Sequence, residues 1–119
     1  MAYVDGFIVP VPKSNLTAYK KMAQKAGKVW REHGALEYVE CVGDDTPYGK
    51  RTSFPRSVKL KEGETVVFAF IVYKSRKERD RVNKAVMSDP RLKGMMDLKA
   101  LPFDAKRMII GGFKELVSA

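Results

Sequence analysis

The sequence predicts an α+β sandwich, a sheet covered on one face by helices. Three observations lead there. Two amphipathic helical stretches are separated by strand-like runs rich in β-branched and aromatic residues. The run Val66–Tyr73 is apolar at every position, as expected of a central strand. Gly, Pro and Asp clusters fall between these segments and mark turns.

The elements follow in order. Tyr3 to Pro10 reads as a strand stopped by Pro10-Val11-Pro12. Ser14 or Asn15 is expected to cap a helix through a side-chain oxygen. Leu16, Tyr19, Ala23, Ala26 and Trp30 recur at spacings of three and four, widened by Met22 and Val29, with Lys20, Lys21, Lys25, Lys28 and Arg31 between them. Gly34 suits a helix stop because glycine tolerates the left-handed backbone there. Ala35 to Val42 is a second strand, ending in Gly43-Asp44-Asp45-Thr46-Pro47. A short strand is expected at about Phe54 to Leu60. Pro55 cannot donate to a ladder, which places that strand at an edge. Glu62-Gly63-Glu64 turns the chain into Val66–Tyr73.

Ser75 and Glu78 have the spacing of a capping box, opening a helix with Val82, Ala85 and Val86 inward and its end near Ser88. Asp89-Pro90 restarts a short helix, with Leu92, Met95 and Met96 as its buried face. Leu101 to Asp104 connects to a last strand, Arg107 to Phe113. Two helices split by strands in β-α-β-β-α-β order indicate a ferredoxin-like sandwich with an extra edge strand, one domain over residues 1–119. The strands are apolar on both faces, and helices cover only one. The exposed face calls for a second copy, a homodimer in which two sheets meet as a dimeric α+β barrel, the alternative being a longer loop folded over the free face.

Composition narrows the chemistry. Charged residues make up 31% and hydrophobic residues 45% of the 119, a globular rather than disordered balance. One Cys and one His exclude a disulfide framework and zinc-finger spacing, and two His for a 2-His-1-carboxylate iron site are not present. No apolar run approaches the ~20 residues of a membrane span, and Asp5 interrupts the first apolar segment, so neither a membrane anchor nor a secretory signal is expected. A reduced, cytoplasmic setting follows. Neither a cofactor nor a metal is implied.

The ordered motifs Y-V-D-G-F at Tyr3–Phe7, G-A-L at Gly34–Leu36, V-E-C at Val39–Cys41, G-D-D at Gly43–Asp45, M-S-D-P-R at Met87–Arg91, P-F-D-A-K-R-M-I at Pro102–Ile109 and G-G-F at Gly111–Phe113 span almost the whole chain. Together they resemble the YbaA-like family of uncharacterised bacterial proteins. The resemblance implies the dimeric α+β barrel arrangement. It supplies no activity, cofactor or catalytic residue.

Candidate chemistry centres on carboxylates inside strands. Asp5 and Glu40 interrupt apolar runs, and a buried carboxylate is costly unless paired or functional. Alternation does not say which face they occupy. On the inter-sheet side, Asp5, Tyr38, Glu40 and Tyr73 would line a cavity able to bind or convert a small molecule, with His33 and Asp44 at its rim. The alternative is a structural ion pair with Lys106 or Arg107, or simple exposure at a strand end. His33, at a helix carboxyl end, is a capping residue or a general base. Cys41 is expected as a small apolar group inside a strand. Asp44 and Asp45 could touch a ligand or hard cation, but two carboxylates alone do not complete such a site. Lys74, Arg76, Lys77, Arg79, Arg81, Lys84, Arg91 and Lys93 face only Glu78, Asp80 and Asp89, and the chain carries +9 overall. Arg76, Lys77, Arg79, Arg81 and Lys84 therefore offer a second reading, an interaction module for RNA or another polyanion.

Overall fold

Strand β1 (Tyr3–Pro12) runs through the middle of the molecule because its β-branched and aromatic residues have partners on both sides. It pairs antiparallel with β3 (Glu64–Tyr73) along its whole length and with β4 (Ile109–Lys114) along its first half. Strand β2 (Glu37–Val42) pairs antiparallel with the other side of β3 and is one edge of the sheet. The resulting order is β2-β3-β1-β4, four strands carrying a ferredoxin-like α+β fold. A computed structural model describes residues 1–95 and 101–119. Met96, expected on the buried side of the short second-half helix, lies outside the described residues.

Helix α1 (Leu16–His33) buries Tyr19, Ala23, Ala26, Gly27 and Val29 against the sheet, close to the stripe read from its spacing. Gly34 ends it at φ 122°, where its N–H reaches the Arg31 carbonyl. The start differs from expectation. Lys13–Asn15 form a 3-10 turn, and Asn15 makes no side-chain cap. Its amide instead donates to the Pro102 carbonyl at 3.3 Å, tying the helix start to the approach to β4.

The expected edge strand at Phe54–Leu60 is a helical turn, α2 (Phe54–Ser57). The Ser53 hydroxyl accepts the Arg56 N–H at 3.1 Å, and Pro55 sits in the first turn, where a missing N–H costs nothing. Lys59 at φ 50° then reverses the chain, and the Leu60 N–H closes onto the Pro55 carbonyl at 3.0 Å. Capping and proline outweighed a three-residue alternation that brings only Val58 to full burial. The sheet accordingly has no extra edge strand among the described residues.

Helix α3 (Arg76–Met87) starts as expected, with the Ser75 hydroxyl accepting the Glu78 N–H at 3.1 Å. The Glu78 carboxylate turns to Arg81 rather than back to Ser75, so half of the box forms. Asp89 caps α4 (Pro90–Lys93) through the Arg91 N–H. Val82, Val86 and Leu92 pack with Val29, Ala35, Ile71 and Tyr73. A second cluster joins Tyr19 and Ala23 to Val9, Val11 and Val67. Each fully buried Val or Leu contributes about 1.5–3 kcal/mol.

Cross-strand partners share a face, so the register sorts every strand residue. The helix-covered face carries Tyr3, Asp5, Phe7 and Val9 of β1, Tyr38 and Glu40 of β2, and Ile71 and Tyr73 of β3. The outer face carries Ile8, Phe68, Phe70, Ile109 and Phe113, with Phe68 44% and Phe113 63% exposed. No helix covers it.

Candidate functional site

Helix α1 and strand β2 diverge enough to leave a groove of about 650 Å³ at the sheet's open edge. Its floor is apolar, formed by Leu16, Ala23, Gly27, Val42 and Val67. Gly27 makes the geometry possible. A Cβ at that position would stand 2.7 Å from Cδ1 of Tyr38, so only a bare helix surface lets this ring edge approach α1 so closely. Trp30 holds the ring from the next turn, with centroids 5.9 Å apart.

Glu40 projects from β2 onto the same face, two residues beyond Tyr38. Its Oε2 accepts the Tyr38 hydroxyl at 2.7 Å, and its Oε1 accepts the Tyr19 hydroxyl from α1. A carboxylate is thus clasped by two phenols from opposite walls. Burial pushes the Tyr19 and Tyr38 hydroxyls well above the ordinary phenol range, and the Glu40 charge pushes them further. Both stay neutral donors at physiological pH. The carboxylate has four lone-pair positions and spends two on the phenols, leaving capacity for a ligand proton. Carboxylate and phenols at an apolar groove can orient an acidic O–H or C–H and accept its proton.

Asp5 is 3% exposed and also lies on the helix side. Strand β3 separates β1 from β2, so Asp5 and Glu40 do not meet. The partner of Asp5 is Arg79, whose Nη1 is 3.5 Å from Oδ1, and neither Lys106 nor Arg107. Arg107 is taken by Glu64 at 2.6 Å and Asp104 at 2.9 Å. Arg79 also donates to the Tyr3 hydroxyl at 3.1 Å and lies over its ring. Gly112 is bare because a Cβ there would fall 2.4 Å from the Tyr3 hydroxyl oxygen and 3.0 Å from Arg79. The buried Nε of Arg79 lies 3.2 Å from Asp80 yet is not aligned for a hydrogen bond. Tyr73 donates to Asn83 Oδ1 at 3.1 Å, as does the Trp30 indole at 3.1 Å. Burial, then the Asp5 charge, pushes the Tyr73 hydroxyl upward. This network buries a charge with its counterion and knits α3 to β1 and β4.

The expected inter-sheet placement of Asp5, Tyr38, Glu40 and Tyr73 is therefore corrected, since all four point at the helices. His33 sits away from them, its Nε2 2.8 Å from Asp89 at the α4 cap. Arg91 and His33 hold the Asp89 carboxyl far below its ordinary range. Asp44 and Asp45 are exposed on the loop after β2, and no group of three or more His, Cys, Asp or Glu gathers to hold a metal among the described residues. Cys41 is exposed on the outer face, not enclosed, at the edge strand beside Phe68. Of the basic-helix candidates, Arg79 is bound to Asp5, and Arg81 pairs with Glu78 and donates to the His33 carbonyl. Arg76, Lys77 and Lys84 remain as exposed cations.

Sequence reasoning placed Tyr19 in the core stripe and missed its hydroxyl. It also passed over Gly27. A glycine within an 18-residue helix is the signal that could have pointed there, since it costs about 1 kcal/mol relative to Ala and asks for a reason.

Fold and groove together define a ferredoxin-like α+β chain with an apolar-floored cleft, carrying a carboxylate in its wall, on the helix side of its sheet. The chain belongs to the family described as Protein of unknown function (DUF1428), whose model matches residues 2–105. It is 49% identical over 117 residues, 98% of each chain, to the uncharacterized protein YbaA of Escherichia coli (strain K12). Among solved structures it is similar to SnoaB, a cofactor-independent oxygenase from Streptomyces nogalater, at TM-score 0.61 and 12% identity over 98% of this chain and 95% of that one. It is also similar to a dimeric ferredoxin-like protein of unknown function from Jannaschia sp., at TM-score 0.57 and 11% identity over 95% and 99% of the two chains. At such identities the two structures establish the shared fold. No helix among the described residues is long and apolar enough to cross a membrane.

Proposed function

We propose that this protein is a small-molecule-binding homodimer, working as one domain in the cytoplasm, whose ligand lies in the groove between α1 and β2. The observation that carries this reading is the Glu40 carboxylate held by two neutral tyrosines at an apolar cleft. A carboxylate serving stability alone is met by a cation, as Asp5 is met by Arg79. Glu40 has none within ion-pairing distance among the described residues. Its arrangement suits a ligand that brings a proton to the carboxylate, so that binding and proton acceptance share one group. The cofactor-independent oxygenase of the same fold gives this reading a precedent at the level of fold only.

The outer sheet face supports the homodimer. Phe68, Ile109 and Phe113 stand exposed on it, and a second copy would cover them by the same surface. The dimeric ferredoxin-like relative of the fold is consistent with this.

The test is a thermal-shift panel of phenols and 1,3-dicarbonyl compounds against wild type, Glu40→Gln and Tyr19→Phe. Expected is at least one compound that stabilises wild type and loses tenfold or more in affinity in Glu40→Gln, about 1.4 kcal/mol. Compounds that stabilise wild type and Glu40→Gln equally would refute a role for the carboxylate.

A further inference from the structure

We infer that the ligand of this groove is an organic anion with an apolar body, its charged head at Lys20 and Lys28 and its body running inward over Ala23, Gly27 and Val67. This rests on the groove being the ligand site, as proposed above. Lys20, Gln24, Lys28 and Arg31 line the helix wall of the groove at spacings of four, four and three, one continuous row on α1. The opposite wall supplies a single carboxylate, Glu40, and both its oxygens go to tyrosines. None of the three cations pairs with it, and Lys20 and Lys28 have no ion-pair partner among the described residues. The Arg31 guanidinium donates to the Leu36 carbonyl, which fixes its charge at one end of the row.

The charges also set the ligand's direction. An anionic head pushed in beside Glu40 would meet a like charge in a partly desolvated cleft. Placed at the rim it meets the lysines and leaves Glu40 facing the ligand body. The floor offers that body only apolar contact, and 650 Å³ is within the range of small-molecule sites. Lys21 and Lys25 are on the same helix but do not line the groove, which makes them an internal control.

Fluorescence titration with anilinonaphthalenesulfonate and its neutral counterpart N-phenylnaphthylamine tests this at constant ionic strength. Expected for wild type is at least tenfold tighter binding of the sulfonate. The double substitution Lys20→Gln with Lys28→Gln should weaken the sulfonate about tenfold and leave the neutral dye within about twofold. Lys21→Gln with Lys25→Gln, the same charge change off the groove, should leave both dyes within about threefold. Equal affinities for the two dyes, or equal losses in the two double variants, would overturn the inference. Gln24→Trp, which adds bulk from an exposed groove position, separates the failures. If it blocks both dyes while they bind wild type equally, the groove stands and the anion preference falls. If it blocks neither, the dyes bind elsewhere and the groove reading falls with the inference.

Discussion

Gly27→Ala sets two opposing effects against each other, and the structure decides the sign. In a bare helix the change is worth about 1 kcal/mol in favour of alanine. Here the added Cβ would lie 2.7 Å from Cδ1, 3.0 Å from Cε1 and 3.2 Å from Cγ of Tyr38, an entire ring edge inside ordinary contact distance. The ring has little room to retreat, because Trp30 packs close to it. Overpacking of this kind costs about 1–3 kcal/mol. Moving the ring also pulls its hydroxyl off Glu40, and a hydrogen bond to a charged group is worth about 1.5–3 kcal/mol. With the helix gain subtracted, the expected net loss is about 1.5–5 kcal/mol. Urea unfolding followed by circular dichroism reads it directly. Gly94→Ala, whose Cβ would meet nothing nearer than 3.9 Å among the described residues, is the control and should change little. A Gly27→Ala variant about 1 kcal/mol more stable than wild type, with an unchanged Tyr38 titration, would refute the reasoning.

Asp5→Ala should destabilise by about 3–5 kcal/mol, since it strands the Arg79 guanidinium, and Asp5→Ala with Arg79→Met should recover part of the loss in a double-mutant cycle. Tyr19, Tyr38 and Tyr73 all have hydroxyl pKa values raised on folding. The folded state then holds protons that the unfolded chain releases above ~10, so stability is intact below that pH and falls as pH rises through it. Each group contributes at most ~1.4 kcal/mol per pH unit, and urea midpoints should fall steadily as pH rises from about 10 to 12. Phe113→Glu on the outer face should shift the sedimentation coefficient from dimer to monomer while leaving the helix-side groove formed.

The architecture was legible because periodicity and punctuation agree through most of the chain. The α1 stripe, the Gly34 stop, the Ser75 cap and the all-apolar β3 each carry their own physical signal. Phe54–Leu60 misled because three alternating apolar residues imitate a strand, whereas Ser53 and Pro55 already held the start of a helical turn. The strand carboxylates were visible as residues out of place, but their face was not. Alternation has period two and no absolute sign; only the pairing of Asp5 with Ile71 and Glu40 with Ala69 sets it. The partners were illegible for a different reason. Arg79 and Tyr19 reach their carboxylates across 74 and 21 residues of chain, and nothing local marks such a contact.

The most direct test of the site is an amide chemical-shift map of the 15N-labelled protein titrated with a compound that raises its melting temperature. The largest shifts are expected at Tyr19, Gly27, Tyr38 and Glu40, with weaker effects at the neighbouring Val42 and Val67. Shifts confined to Phe68, Phe70 and Phe113 on the outer face, or to Arg76–Met87 on α3, would contradict the assignment of the α1–β2 groove.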